Sequence, residues 1–120
     1  MRTPEIELRW WAGCPSTERA LAELRAALVD LGLEDTEVRM REVRDEEQAR
    51  EAGFHGSPTI LIDGVDFVRD GGPWAGGPEE PVGLVCRVFR RRDGRISPVP
   101  DPDDLREALR RAAQRAQRSE

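Results

Sequence analysis

Two cysteines carry most of the chemistry this chain can offer, and they stand in different company. Cys14 sits in "WWAGCPST", residues 10 to 17, behind two tryptophans and a glycine and directly ahead of Pro15. Cys86 sits in "LVCRVF", residues 84 to 89. The thiolate is the reactive form of cysteine, and a helix N-terminus favours it through unpaired N–H groups and the macrodipole. Pro15 suits the first position of a helix, which puts Cys14 at or near the N-cap. Two readings of Cys14 stand at this point: a reactive thiol at a helix start, or a small buried hydrophobe, as free cysteines often are.

Composition removes several other chemistries. Two cysteines and one histidine are too few for a disulfide framework or a structural zinc site, so neither a metal centre nor a cofactor is expected. All 19 basic residues are Arg, against 24 acids, for a net charge of −5. The longest basic cluster, Arg90 to Arg92, abuts an Asp93-Gly94 turn, so an electrostatic footprint for nucleic acid is missing. No apolar run approaches the ~18 residues of a membrane helix. The start "MRTPEIEL" lacks the apolar core of a signal peptide, and the cytoplasm is the expected location.

The elements that must position the cysteines follow from periodicity and caps. "EIELRWW", residues 5 to 11, alternates Ile6, Leu8 and Trp10 on one face and predicts a strand that runs straight into the Cys14 turn. Leu21, Leu24, Leu28 and Leu31 then recur at helical spacing up to Gly32. "TEVRMREV", 36 to 43, predicts a second strand with Val38 and Met40 on one face. Asp45 and Gln48 read as the cap of a short helix that ends at Gly53. "TILI" and "VDFV" flank Asp63-Gly64, a hairpin signal for a turn with positive φ at both centres. Asp63 is accounted for by that turn, and Asp66 by alternation toward solvent. Residues 71 to 83, with five Gly and three Pro, read as loop. "LVCRVF" reads as a short further strand, and Asp101-Pro102 opens a C-terminal helix with Leu105, Ala108, Leu109 and Ala112 on one face. The order predicts one α/β domain over residues 1–120, a mixed sheet of four or five strands flanked by helices, with a Gly/Pro-rich insertion and short strand at about 70–98.

With "WWAGCPST" after the first strand and "GSPT" at the start of the hairpin, the chain resembles the thioredoxin-like superfamily. It is similar in particular to small members with a G-C-P-x motif, an S-P-T-x-L-x-D-G segment and a late C-R pair, some of which are labelled alkylmercury lyases by similarity. The resemblance covers the chain up to about Phe67 and the last helix. It implies that Cys14 is the nucleophile, that Thr17 stands where a second motif cysteine would be, and that Ser57-Pro58 is a cis bond whose backbone faces Cys14. It also implies that Ser57, Pro58 and Thr59 offer contacts to substrate, and that Trp11 lies beside the thiol. His55, three residues before Pro58, is then a candidate for tuning Cys14, and Trp74, in the loop, a candidate lid.

In a sheet of that order the strand after Pro58 runs antiparallel to the first, and the next strand returns to the Cys14 end. Cys86 can therefore be a resolving cysteine that replaces the missing motif partner. A core-facing Cys86 is the other reading, because alternation puts Leu84, Cys86 and Val88 on one apolar face against Val85, Arg87 and Phe89. The expected function is thiol–disulfide exchange on a protein or low-molecular-weight substrate, resolved by Cys86 or an external thiol. The rival is a non-catalytic module that binds a soft ion such as Hg(II) or Cu(I), or a protein partner.

Overall fold

A computed structural model of the chain describes residues 3–69 and 82–118. Most of the expected Gly/Pro-rich loop, Trp74 included, lies outside the described residues. The elements are β1 (Ile6–Trp10), α1 (Thr17–Asp30), β2 (Val38–Glu42), α2 (Glu46–Ala52), β3 (Thr59–Ile62), β4 (Val65–Asp66), β5 (Phe89–Arg90), β6 (Ile96–Ser97) and α3 (Pro102–Arg118). The architecture is α/β: a four-stranded mixed sheet in the order β2-β1-β3-β4, with β1 parallel to β2 and antiparallel to β3.

The sheet's two faces are filled differently. Ile6 and Leu8 of β1 and Ile60 and Ile62 of β3 point to the face covered by α1 and α3, where they meet Leu24, Leu28, Leu105 and Leu109 in the main core. Burying each such side chain contributes about 1.5–3 kcal/mol. On the other face, Val43, Ala49 and Phe54 form a small second cluster with Trp11 and Leu84 against it. Arg9 of β1 reaches that side too, donating to the Ala52 carbonyl at the end of α2 at 2.9 Å.

Local signals account for the element ends. Asp45 accepts from the Gln48 N–H at 2.8 Å and caps α2. Asp63 and Gly64 have φ of 52° and 80°, as the hairpin signal requires. Asp101 accepts from the Asp103 N–H at 2.9 Å and from the Arg92 N–H at 3.0 Å, so it both caps α3 and ties it to the β5 side.

Three expectations change. Met40 is exposed, because β2 is an edge strand whose side chains are mostly uncovered. "VDFV" pairs over only Val65 and Asp66, since the Asp66 carboxylate accepts from the Val68 N–H at 3.1 Å and turns the chain into a 3₁₀ segment, Phe67–Arg69. No fifth strand joins the sheet among the described residues: β5 pairs with β6 in a separate hairpin. Nor does any helix among them have the length and apolarity to cross a membrane.

Candidate active site

Cys14 leaves β1 through a tight turn closed by its own N–H to the Trp11 carbonyl at 3.0 Å. The Trp11 ring folds over Gly13, where an added Cβ would stand 2.4 Å from a ring carbon, so a larger residue would have to displace the ring. The helix then begins later than Pro15 suggested. Ser16 is the N-cap and Thr17 the first helical residue, which leaves Cys14 two positions outside the cap. Ser16 makes no side-chain capping bond. Its hydroxyl pairs instead with the Cys14 sulfur at 3.0 Å, so the helix start acts on the thiol through Ser16.

Across from Cys14 lies the loop between α2 and β3, where the Ser57–Pro58 bond is cis. Ser57 is fully buried and connects the parts. Its hydroxyl accepts from the Trp11 N–H at 3.1 Å and lies 3.5 Å from the Thr17 hydroxyl. Its carbonyl accepts the Cys14 thiol at 3.3 Å. Thr59 donates to the Gly56 carbonyl at 2.6 Å, which fixes the loop from within.

The third part is the stretch just before β5. Gly83 N–H bonds the Phe54 carbonyl at 3.0 Å, Ser57 N–H the Val85 carbonyl at 2.8 Å, and Arg87 N–H the Ser57 carbonyl at 2.8 Å. These bonds make a parallel bridge between Ser57 and Cys86. Gly56 permits the approach: its φ is 117°, and a Cβ there would lie 3.1 Å from the Val85 carbonyl oxygen. The Ser57 N–H and C=O are therefore both used inside the protein.

Cys86 is exposed, and the alternation expected for this stretch is inverted. Arg87 and Phe89 are the buried residues, at 2% each, while Cys86 and Val88 face out. The core-facing reading of Cys86 is overturned. The reason is an ion pair: Arg87 donates to both Asp66 oxygens at 3.0 Å, with Thr59 Oγ1 at 3.4 Å and the Phe89 ring centre 5.7 Å from its guanidinium carbon. A planar fork matches a carboxylate on two bonds, which allows a charged side chain to go where an apolar one was expected. Asp66 is correspondingly turned to Arg87 and not to solvent.

Both cysteines are free thiols. Burial pushes the Cys14 thiol up, but hydrogen bonds from the Ser16 side chain and backbone, then from Cys86 and Ser57, outweigh it and hold its pKa below the ordinary value. Cys86 is pushed the other way, first by burial and then by its hydrogen bond to Cys14 and the charge there. Hydrogen bonding to a charged form lowers its pKa and raises that of the donor. His55 is half-buried in the loop leading to Ser57 and is not among the groups that shift Cys14.

A groove of about 420 Å³ is lined by Trp10, Ala12, Cys14, Pro15, Thr17 and Met40 among others. Trp10 is thus the tryptophan of the groove, while Trp11 packs beside Val43 and Phe54. A larger concavity of about 690 Å³ lies among Thr3, Glu5, Asp63 and Arg115, toward the hairpin turn and lined by neither cysteine. Among the described residues no group of three or more His, Cys, Asp or Glu side chains could hold a metal ion.

The motif residues Cys14, Thr17, Ser57 and Pro58 come together with Cys86. Sequence reasoning missed Ser16, Asp66 and Arg87. Serine's preference for N-caps was a legible signal for Ser16; nothing local pairs Asp66 with Arg87. No family model, curated protein or solved structure matches the chain.

Proposed function

We propose that this is a thioredoxin-like thiol–disulfide exchange protein with Cys14 as nucleophile and Cys86 as resolving thiol. The observation that carries the reading is the shared anchor of the two thiols: the Ser57 carbonyl accepts the Cys14 thiol at 3.3 Å and the N–H of Arg87, next to Cys86, at 2.8 Å, and Ser57 bridges Cys86. The strand order, the α1 start beside Cys14 and the cis bond at Ser57–Pro58 support the assignment to that superfamily. The Cys14 thiolate attacks one sulfur of a substrate disulfide, forms a mixed disulfide, and releases the other half as a thiolate that takes up a proton. Cys86, deprotonated in turn, attacks the Cys14 sulfur. A Cys14–Cys86 disulfide forms, the second substrate thiolate leaves, and two electrons have passed to the substrate. A thiol reductant of the cytoplasm, the compartment this chemistry suits, returns the pair to its starting state.

The test is a disulfide-reduction assay with Cys14→Ser and Cys86→Ser as controls. Wild type turns over, Cys14→Ser is inert, and Cys86→Ser accumulates a mixed disulfide that only added thiol resolves. Equal inertness of wild type and Cys14→Ser, with Hg(II) or Cu(I) bound by wild type alone, would overturn the enzyme reading in favour of a metal-binding one.

A further inference from the structure

We infer that the buried Arg87–Asp66 ion pair is a positioning device that holds Cys86 against Cys14. The inference rests on the exchange reading above and assigns a role to two residues outside the reacting atoms. Arg87 directly follows Cys86, and its side chain is 0% exposed, against 13% for Asp66. Neighbouring residues of an extended chain point to opposite sides. With the guanidinium drawn inward to Asp66 on β4, the preceding side chain points to the opposite, exposed side, at the residue that bridges Ser57, whose carbonyl accepts the Cys14 thiol. The Arg87 N–H bonds the Ser57 carbonyl at 2.8 Å, the oxygen that also accepts the Cys14 thiol at 3.3 Å. Arg87 therefore fixes Cys86 at two points, one on the sheet edge and one on the loop that contacts the nucleophile. Stability alone does not call for an ion pair here, since well-packed apolar residues in place of a buried pair are often neutral or better. What the fork adds is a defined direction.

A position effect is visible as effective concentration. The probe is one equivalent of a chromogenic aromatic disulfide, dithiobis-nitrobenzoate, added to the reduced full-length chain. Cys14 releases one arylthiolate and becomes the mixed disulfide; Cys86 then displaces the second arylthiolate in a first-order step. Asp66→Asn is expected to leave the first release within about twofold and to slow the second about tenfold or more. The Cys14–Cys86 couple should become correspondingly easier to reduce, by ~30 mV for each tenfold loss. Asp66→Glu, which restores the carboxylate, should recover part of the second rate. Because taking the carboxylate from buried Arg87 can unfold the domain, the double change Asp66→Leu with Arg87→Met serves as a second variant with neither charge. It should fold and still resolve slowly.

A folded Asp66→Asn or double variant that resolves at the wild-type rate and potential overturns the positioning role alone. A wild-type chain that releases only one arylthiolate overturns the resolving role of Cys86 and the inference with it.

Discussion

The two faces of the sheet are held by different forces. Under α1 and α3 the contact is apolar, made by Ile6, Leu8, Leu24, Ile60, Leu105 and Leu109. On the face carrying the second cluster, and along the loop beside Cys14, the buried apolar set shrinks to Val43, Ala49 and Phe54. Order there comes from directed bonds: the Ser57 network, the parallel bridge to Cys86 and the Arg87–Asp66 pair. Apolar packing is tolerant of direction and supplies stability, whereas hydrogen bonds and forks fix where an atom lies. Both thiols stand in the bonded region.

The difference can be broken from either side, beginning with the largest effect. Leu109→Ala should cost about 2–5 kcal/mol, read as a fall in the denaturation midpoint, while the folded fraction keeps its Cys14 alkylation rate. A changed Cys14 rate in the folded fraction would show that the faces are not separable. Gly56→Ala should cost about 1–3 kcal/mol, because a side chain at that φ is strained and meets the Val85 carbonyl. Unlike the leucine change, it should also slow closure of the Cys14–Cys86 disulfide.

Asp101→Ala should cost about 0.5–2 kcal/mol through the lost cap. Burial pushes the Asp101 carboxyl up, yet N–H bonds from Arg92 and Asp103 and the Arg91 charge outweigh it and hold the pKa below the ordinary carboxylate value. A carboxylate so depressed stabilises the fold above its unfolded pKa and loses that contribution as pH falls through the folded one. The melting-temperature gap between wild type and Asp101→Ala should accordingly narrow in acid. Smallest in stability, within about 0.5 kcal/mol, is Cys86→Ala at its exposed position. It should nonetheless raise the Cys14 pKa by removing a donor, seen as a shift of the iodoacetamide pH–rate profile to higher pH.

The same contrast explains what was legible in the sequence. Alternation in β1, the Asp63-Gly64 turn, and the caps at Asp45 and Asp101 act through neighbours a few residues away, so their types and spacing disclose them. Cys14 was legible as a candidate thiol from its place ahead of Pro15, whereas its juxtaposition with the Ser57–Pro58 pair was legible only through the resemblance. The exact helix start was misread because Pro15 is compatible with the first helical position, while Ser16 is the better cap and took it. Of the two readings of the stretch from Leu84 to Phe89, the core-facing one fails for another reason. Hydropathy assigns its inner face to the apolar residues, but burial followed the partner: Asp66, on a strand before the long loop, offers Arg87 two acceptors that no local pattern announces.

Ser57 has one further consequence. Its N–H and its carbonyl are both paired with the stretch 85–87, whose own backbone lies along that edge as an extra strand would. A polypeptide arriving in extended form has to compete with the protein's own chain for those two groups, and to win it must peel away the segment that carries Cys86. Among the described residues, the groove lined by Trp10, Cys14 and Met40 can be reached without displacing that segment. Beside Cys14, the protein is its own first ligand.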